Sequence, residues 1–365
     1  MRQYLNYAGE TIYIAGPACF YYDGYALWHA QRKKAEYYGF KVVMPTTNAL
    51  DLTHSDPREN ADAIFRNCAA AMNESTAIIA DLESFRGTEP DGGTLFEMGM
   101  AYARGARLYA YTRDKRPMLH KTRAALLKGG RVTDEAGRPI PYFELPFCPC
   151  LTASAEIIEG GFDDALQLLM IGVEREKCAA GWPSPVDKMP EAKQKTNGKT
   201  VFLFSPRLYF EGAKEWYEQQ KTAFLKAGLT LLSPLDPLKG EPDGEPADPL
   251  SRAGRHFERW KRQTDACDLF YADLNDFNGP EPSGDVAFLA GYAWQKGKKC
   301  LGFMRNTEKM RDKIPHYGAE ADFKDQFGND VENFDYPINL MFASSMPIFA
   351  GEPCPGTAAD FLGNH

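Results

Sequence analysis

"DLESFRGTEPDGGTLFEMGMAYARG", residues 81–105, and "DLNDFNGPEPSGDVAFLAGYAWQKG", residues 273–297, are one stretch written twice. Taken over residues 80–107, the pairing holds at a constant offset of 192 without a gap, and 12 of 28 positions are identical. Other blocks repeat in the same order. "IYIAGPACF" (12–20) pairs with "VFLFSPRLY" (201–209), and "YGFKVVMP" (38–45) with "AGLTLLSP" (227–234), both at an offset of 189. "LPFCPCLTAS" (145–154) pairs with "YPINLMFASS" (336–345) at 191. Four blocks in register over most of the chain establish an internal duplication. The intervening "CAAGWPSPVDKMPEAKQKTNGK" is rich in Pro, Lys and Gly and reads as a linker. The expected division is a first unit over 1–175, a linker over 176–199 and a second unit over 200–365.

Each unit alternates strand and helix signals. In the first, residues 11–15 form a short β-rich run, and 25–37 have helical character. "FKVVM" (40–44), "TAIIAD" (76–81) and "RLYAYT" (107–112) are short apolar runs of the buried parallel type. "FDDALQLLMIGVE" (162–174) is an amphipathic helix. This alternation predicts an α/β fold of two tandem doubly wound, flavodoxin-like parallel-sheet domains. Ligands of such sheets sit beyond the carboxyl ends of the strands. "AGPACF" (15–20) and "FRGTEPDGGT" (85–94) both follow strands, so they belong to one site.

Bulk properties narrow the function classes. The 365-residue chain is 44% hydrophobic and 25% charged, values of an ordinary globular protein. A formal net charge of −8 argues against a nucleic-acid polymer or an anionic membrane as partner. The N-terminus has no apolar stretch of signal-peptide length and no run of 18 apolar residues occurs, so a cytoplasmic location is expected. The eight cysteines are scattered, and the one close pair, Cys148 and Cys150, fits neither a zinc ribbon nor a CxxC motif. Buried free thiols are expected, and the six histidines show no ligand spacing.

The stretch at 81–105 also contains an unpaired anion. Three and four positions from Glu97 stand Thr94, Met100, Gly93 and Ala101, none basic. Gly87, Gly92 and Gly93 allow backbone to approach a ligand closely. Asp91 and Glu97 supply two carboxylates near one mouth, a pair that can divide into nucleophile and proton donor. The bland reading makes Asp91 a helix cap and Glu97 a solvated helix residue. The second copy weighs against it: it keeps Asp273, Phe277, Gly279, Pro282, Phe288, Gly291 and Gly297 but replaces Asp91 with Ser283, Glu97 with Leu289 and Tyr13 with Phe202. Groups that one copy discards are functional groups that only the other uses. "DGGT" lacks a GxGxxG or GKS/T signature, so a dinucleotide or Walker site has little support.

"IYIAGPACF", "ADLESFRGTEPDGGTLFEMGMAYARGARLYAY" and "INLMF" resemble the nucleoside 2-deoxyribosyltransferases, in block order over nearly all of residues 11–175. The resemblance implies transfer of a 2-deoxyribosyl group from a deoxynucleoside donor to a free nucleobase acceptor, a step of nucleoside salvage, with retention at C1′ and no cofactor or metal. By the same resemblance Glu97 is the nucleophile, Asp91 the acid that protonates the leaving base, and Tyr13 the hydroxyl that orients Glu97. Gly16, Phe20 and Gly93 would line the pocket, and Asn67 matches a polar residue of the helix before the third strand. Family members place an asparagine of an "NLM" element in the neighbouring subunit's site. Here the first copy has Cys148 at that position, and the second keeps Asn339, Leu340 and Met341. The expectation is a pseudo-dimer in which the degenerate second unit completes the first unit's site with Asn339 and Met341; a homo-oligomer of such fused pairs is compatible with it. The alternatives are a 2′-deoxynucleoside N-glycosidase, in which water resolves the same intermediate, and a nucleoside-binding pseudoenzyme.

Overall fold

The short apolar runs become two five-stranded sheets. The computed structural model describes residues 7–47, 50–122, 126–128, 131–135, 137–179, 199–317 and 323–363. In the first unit, β1 (Thr11–Ala15), β2 (Lys41–Val43), β3 (Ala77–Asp81), β4 (Arg107–Thr112) and β5 (Glu156–Glu159) lie in the order β2-β1-β3-β4-β5, all parallel. The second unit repeats it with β6 (Thr200–Phe204), β7 (Thr230–Leu232), β8 (Leu269–Asp273), β9 (Lys299–Met304) and β10 (Ile348–Ala350), in the order β7-β6-β8-β9-β10. The registers correspond: Tyr13 pairs with Val43 and Ile78, Phe202 with Leu232 and Phe270. Central β3 and β8 are buried along their whole length, which is why they read as unbroken apolar runs.

Around the first sheet pack α1 (Gly24–Tyr37), α2 (Pro57–Glu74), α3 (Gly92–Ala103) and α4 (Phe162–Ala179). Around the second are α5 (Ala213–Lys226), α6 (Pro249–Ala266), α7 (Gly284–Gln295) and α8 (Pro355–Gly363). Equivalent helices start alike: Asp56 and Asp248, each just before a proline, cap α2 and α6. Helix α4 continues to Ala179, past the boundary expected at 175, and the linker residues 180–198 lie outside the described residues. Free thiols are present as expected, yet Cys178 and Cys354 are exposed rather than buried.

One apolar core crosses the junction between the units, taking Tyr13, Phe65 and Phe96 from the first and Phe257, Phe288 and Phe342 from the second. Full burial of such a side chain contributes roughly 1.5–3 kcal/mol. At the seam α3 and α7 cross on glycines. A Cβ on Gly99 would come 1.9 Å from the Phe288 carbonyl oxygen, and one on Gly291 1.9 Å from that of Phe96. Only glycine at both positions allows this approach. Two glutamates cross reciprocally above the seam. Glu89 accepts from the Gly284 amide at the start of α7 (2.5 Å), and its counterpart Glu281 lies against Gly92 at the start of α3. Each unit also lays an arm on the other. The Asp330 amide donates to the Phe20 carbonyl (2.8 Å) and Arg86 pairs with buried Asp325 (2.9 Å), while the Cys150 amide donates to Asp285 (2.9 Å).

Candidate active site

Two turns at the carboxyl ends of β1 and β3 build the site. Gly16 ends β1 with φ 151°, and a Cβ there would meet the Asp81 Cβ at 2.8 Å. The chain then makes one tight turn over Pro17–Phe20. After β3, the loop delivers Asp91 to the start of α3. Its Oδ2 accepts from the Thr94 amide and hydroxyl, both at 2.7 Å, so Asp91 is an N-cap as the bland reading held. Its Oδ1 is buried and accepts no hydrogen bond. A cap needs one oxygen; the second is free for a ligand.

Glu97 lies farther along α3, on the face of Gly93, and it is not solvated. It is 6% exposed, and its partner comes from another element: the Tyr13 hydroxyl on β1 donates to Oε1. Burial pushes Glu97 up to about 8; the Tyr13 hydrogen bond opposes that rise and the Asp91 charge adds to it. Burial raises Asp91 as well, against its bonds to Thr94. Two such carboxyls in one field titrate as a coupled pair, and binding of a cationic centre draws the nearer one to its anion.

Both open into a cavity of about 520 Å³. The first unit lines it with Gly16, Cys19, Phe20, Gly93 and Cys68 beside the two acids. The second unit closes it with Glu332, Phe334, Asn339 and Met341. Asn339 caps the short helix Leu340–Ala343 through Oδ1, which accepts from the Met341 amide (2.9 Å). Its amide packs on α3 where a Cβ on Gly93 would stand 2.9 Å from Nδ2, so glycine at 93 makes room for a side chain of the other unit.

The family model described as nucleoside 2-deoxyribosyltransferase matches residues 12–146 and again residues 201–341, well over half of the chain. The chain belongs to the nucleoside 2-deoxyribosyltransferase family. Among solved structures, a 2-desoxiribosyltransferase from Leishmania mexicana is 26% identical, over 46% of this chain and 99% of that one, with a TM-score of 0.36. A 2-deoxyribosyltransferase from Bacillus psychrosaccharolyticus is 17% identical over 29% and 72% (TM-score 0.22). A conserved protein from Enterococcus faecalis V583 is 14% identical over 46% and 98% (TM-score 0.29). No curated protein sequence matches.

In this deoxyribosyltransferase-family chain, eight of the nine residues singled out from sequence meet in one place: Glu97, Asp91, Gly16, Phe20, Gly93, Asn339 and Met341 line the cavity, and Tyr13 stands behind Glu97. Asn67 does not line it. Its amide donates to the Pro45 carbonyl (2.6 Å), holding a loop that does. Sequence reasoning missed Cys68 and Glu332, both of which line the cavity. Cys68 gives no signal in the sequence. Glu332 does, since at the local offset of 191 its counterpart is Pro141. Among the described residues, no group of His, Cys, Asp or Glu could hold a metal ion, and no helix is long and apolar enough to cross a membrane.

Proposed function

We propose that the chain transfers a 2-deoxyribosyl group between nucleobases by a retaining double displacement on Glu97. A Glu97 oxygen attacks C1′, the C1′–N bond breaks, and its electron pair leaves with the base as Asp91 delivers a proton to it. The incoming base then attacks the glycosyl ester, Asp91 takes its proton, and Glu97 leaves. Two inversions give net retention. Tyr13 holds Glu97 in line, and Asn339 and Met341 hold the sugar from the second unit. Residues 1–175 are then the catalytic unit and 200–365 a unit that completes the site.

One observation carries this reading: a buried carboxyl, oriented by a tyrosine, faces a cavity that also holds a second acid and an asparagine from the other unit. Burying a carboxyl costs stability, and the single bond from Tyr13 offsets only part of that cost, so stability alone does not account for the arrangement. The test is incubation with deoxyinosine, with and without free adenine. Deoxyadenosine formed only when adenine is present supports transfer. Free 2-deoxyribose at the same rate with or without adenine would make the chain a hydrolase, and no turnover would leave a binder.

A further inference from the structure

Glu332 sits on the second unit's arm and lines the same cavity as Asp91 and Glu97. Its Oε2 accepts from the Leu340 amide (3.0 Å), next in chain to Asn339, so one arm segment fixes both side chains. That bond uses one carboxyl oxygen of a side chain that lines the cavity. The titratable and charged groups around it are Asp91, Glu97, Glu281, Asp330, Cys19 and Arg86. Arg86 is the cation of this set: its Nε pairs with Asp325 and its Nη2 donates to the Asp330 carbonyl (2.5 Å), while Nη1 is buried without a partner. Behind Asp91, Glu281 is buried and makes no well-formed hydrogen bond. Asp91, Glu281 and Glu332 thus share the field of one guanidinium, and burial raises all three, Glu332 to about 8. Burial therefore favours the protonated form of Glu332, which can donate a hydrogen bond.

We infer that Glu332 is a base-contacting, specificity-determining residue, donating from Oε1 to a carbonyl oxygen of the nucleobase while Asp91 serves the neighbouring ring nitrogen. This rests on the proposed transfer reaction for the role of Asp91. Among the purines, the class that offers two adjacent acceptors is the 6-oxopurines, through N7 and O6. A 6-aminopurine presents a donor at the second position and meets the Glu332 proton head-on. The first unit's arm carries Pro141 at this position, so the preference belongs to one site only.

The experiment compares kcat/KM for deoxyinosine and deoxyadenosine with a common acceptor, in the wild type, Glu332→Ala and Glu332→Gln. The wild type should favour deoxyinosine. Glu332→Ala should reduce that preference about tenfold, the worth of one hydrogen bond, mostly through KM. Glu332→Gln, which still donates, should keep it within about threefold. A purely structural role through Leu340 would lower both donors equally and leave the ratio unchanged; that result overturns the inference. Calorimetric binding of hypoxanthine and adenine to the same proteins separates this from the reaction itself. A wild type without turnover that still binds hypoxanthine more tightly, with the difference lost in Glu332→Ala, sinks the transfer reading and keeps the base contact. Equal binding of both bases sinks the base contact alone.

Discussion

The starts of α3 and α7 are the same backbone with different side chains passing through it. In the first unit, Gly93 leaves a space that Asn339 enters from the second. In the second unit the aligned residue is Asp285, which fills that space itself, accepting from the Tyr209 hydroxyl (2.6 Å) and the Cys150 amide (2.9 Å). Opposite it stands Cys148 where the first site has Asn339. Ser283 takes over the cap of Asp91 through its hydroxyl (3.4 Å), so the helix keeps its start and loses its acid. Leu289 and Phe202 replace the Glu97–Tyr13 pair with apolar packing. A cavity of about 810 Å³ persists near Pro234, His256 and Trp260, but Ser283, Asp285 and Leu289 do not line it. The two units thus keep one frame and set different side chains at the start of the same helix.

The difference can be broken or sharpened by exchanging residues between the two regions. Glu97→Ala should lose at least about three orders of magnitude in kcat, the scale of nucleophile deletion, and Leu289→Glu should gain nothing because Phe202 and Ser283 cannot support it. Steady-state exchange assays of both variants check this; activity within tenfold of wild type in Glu97→Ala removes the assigned nucleophile. Gly93→Asp should make the first region resemble the second. Its Cβ would press on Asn339, and a displacement of about 1 Å at a reacting centre costs on the order of 10²-fold. Asn339→Ala should cost about tenfold in kcat/KM, the loss of one hydrogen bond to the sugar, with the chain still folded and its unfolding temperature lowered only by the lost helix cap.

A separate effect is on stability and pH. Glu97 is raised to about 8 by burial, well above a carboxyl in an unfolded chain. The folded state then binds more protons than the unfolded one between about 4.5 and about 8. Its stabilising contribution is complete below that window and is lost as pH rises through it. Glu97→Gln removes the dependence, so the difference in Tm, variant minus wild type, should grow from pH 5 to pH 9. A flat difference would mean that the folded protein holds Glu97 as an anion throughout.

The duplication made much of this legible in advance. Local period and turn residues located four strands of the first unit, and comparing the copies picked out Tyr13, Asp91 and Glu97. What escaped lies where a local pattern is silent. Strand β5, "EIIE", is short and half exposed at the sheet edge, so it carries no continuous apolar run. Glu89 and Glu281 survive in both copies, yet their Glu-Pro setting reads as loop, because each amide that they face is almost two hundred residues away. Asn67, which the family resemblance places against the ligand, donates to the Pro45 carbonyl, a contact set by the course of the loop at Pro45.

The crossing of α3 over α7 joins two halves of one peptide, and that alters what dilution can do. An active site shared by separate subunits falls apart as the protein is thinned out. Here the halves belong to one chain, so the closed arrangement does not depend on how many molecules are present. Turnover per chain should stay constant down to nanomolar protein. Equimolar Glu97→Ala and Asn339→Ala chains, each damaged in a different half, should not rescue one another on mixing, since neither can lend its intact half. Recovery of a quarter or more of wild-type activity would show that halves exchange between molecules.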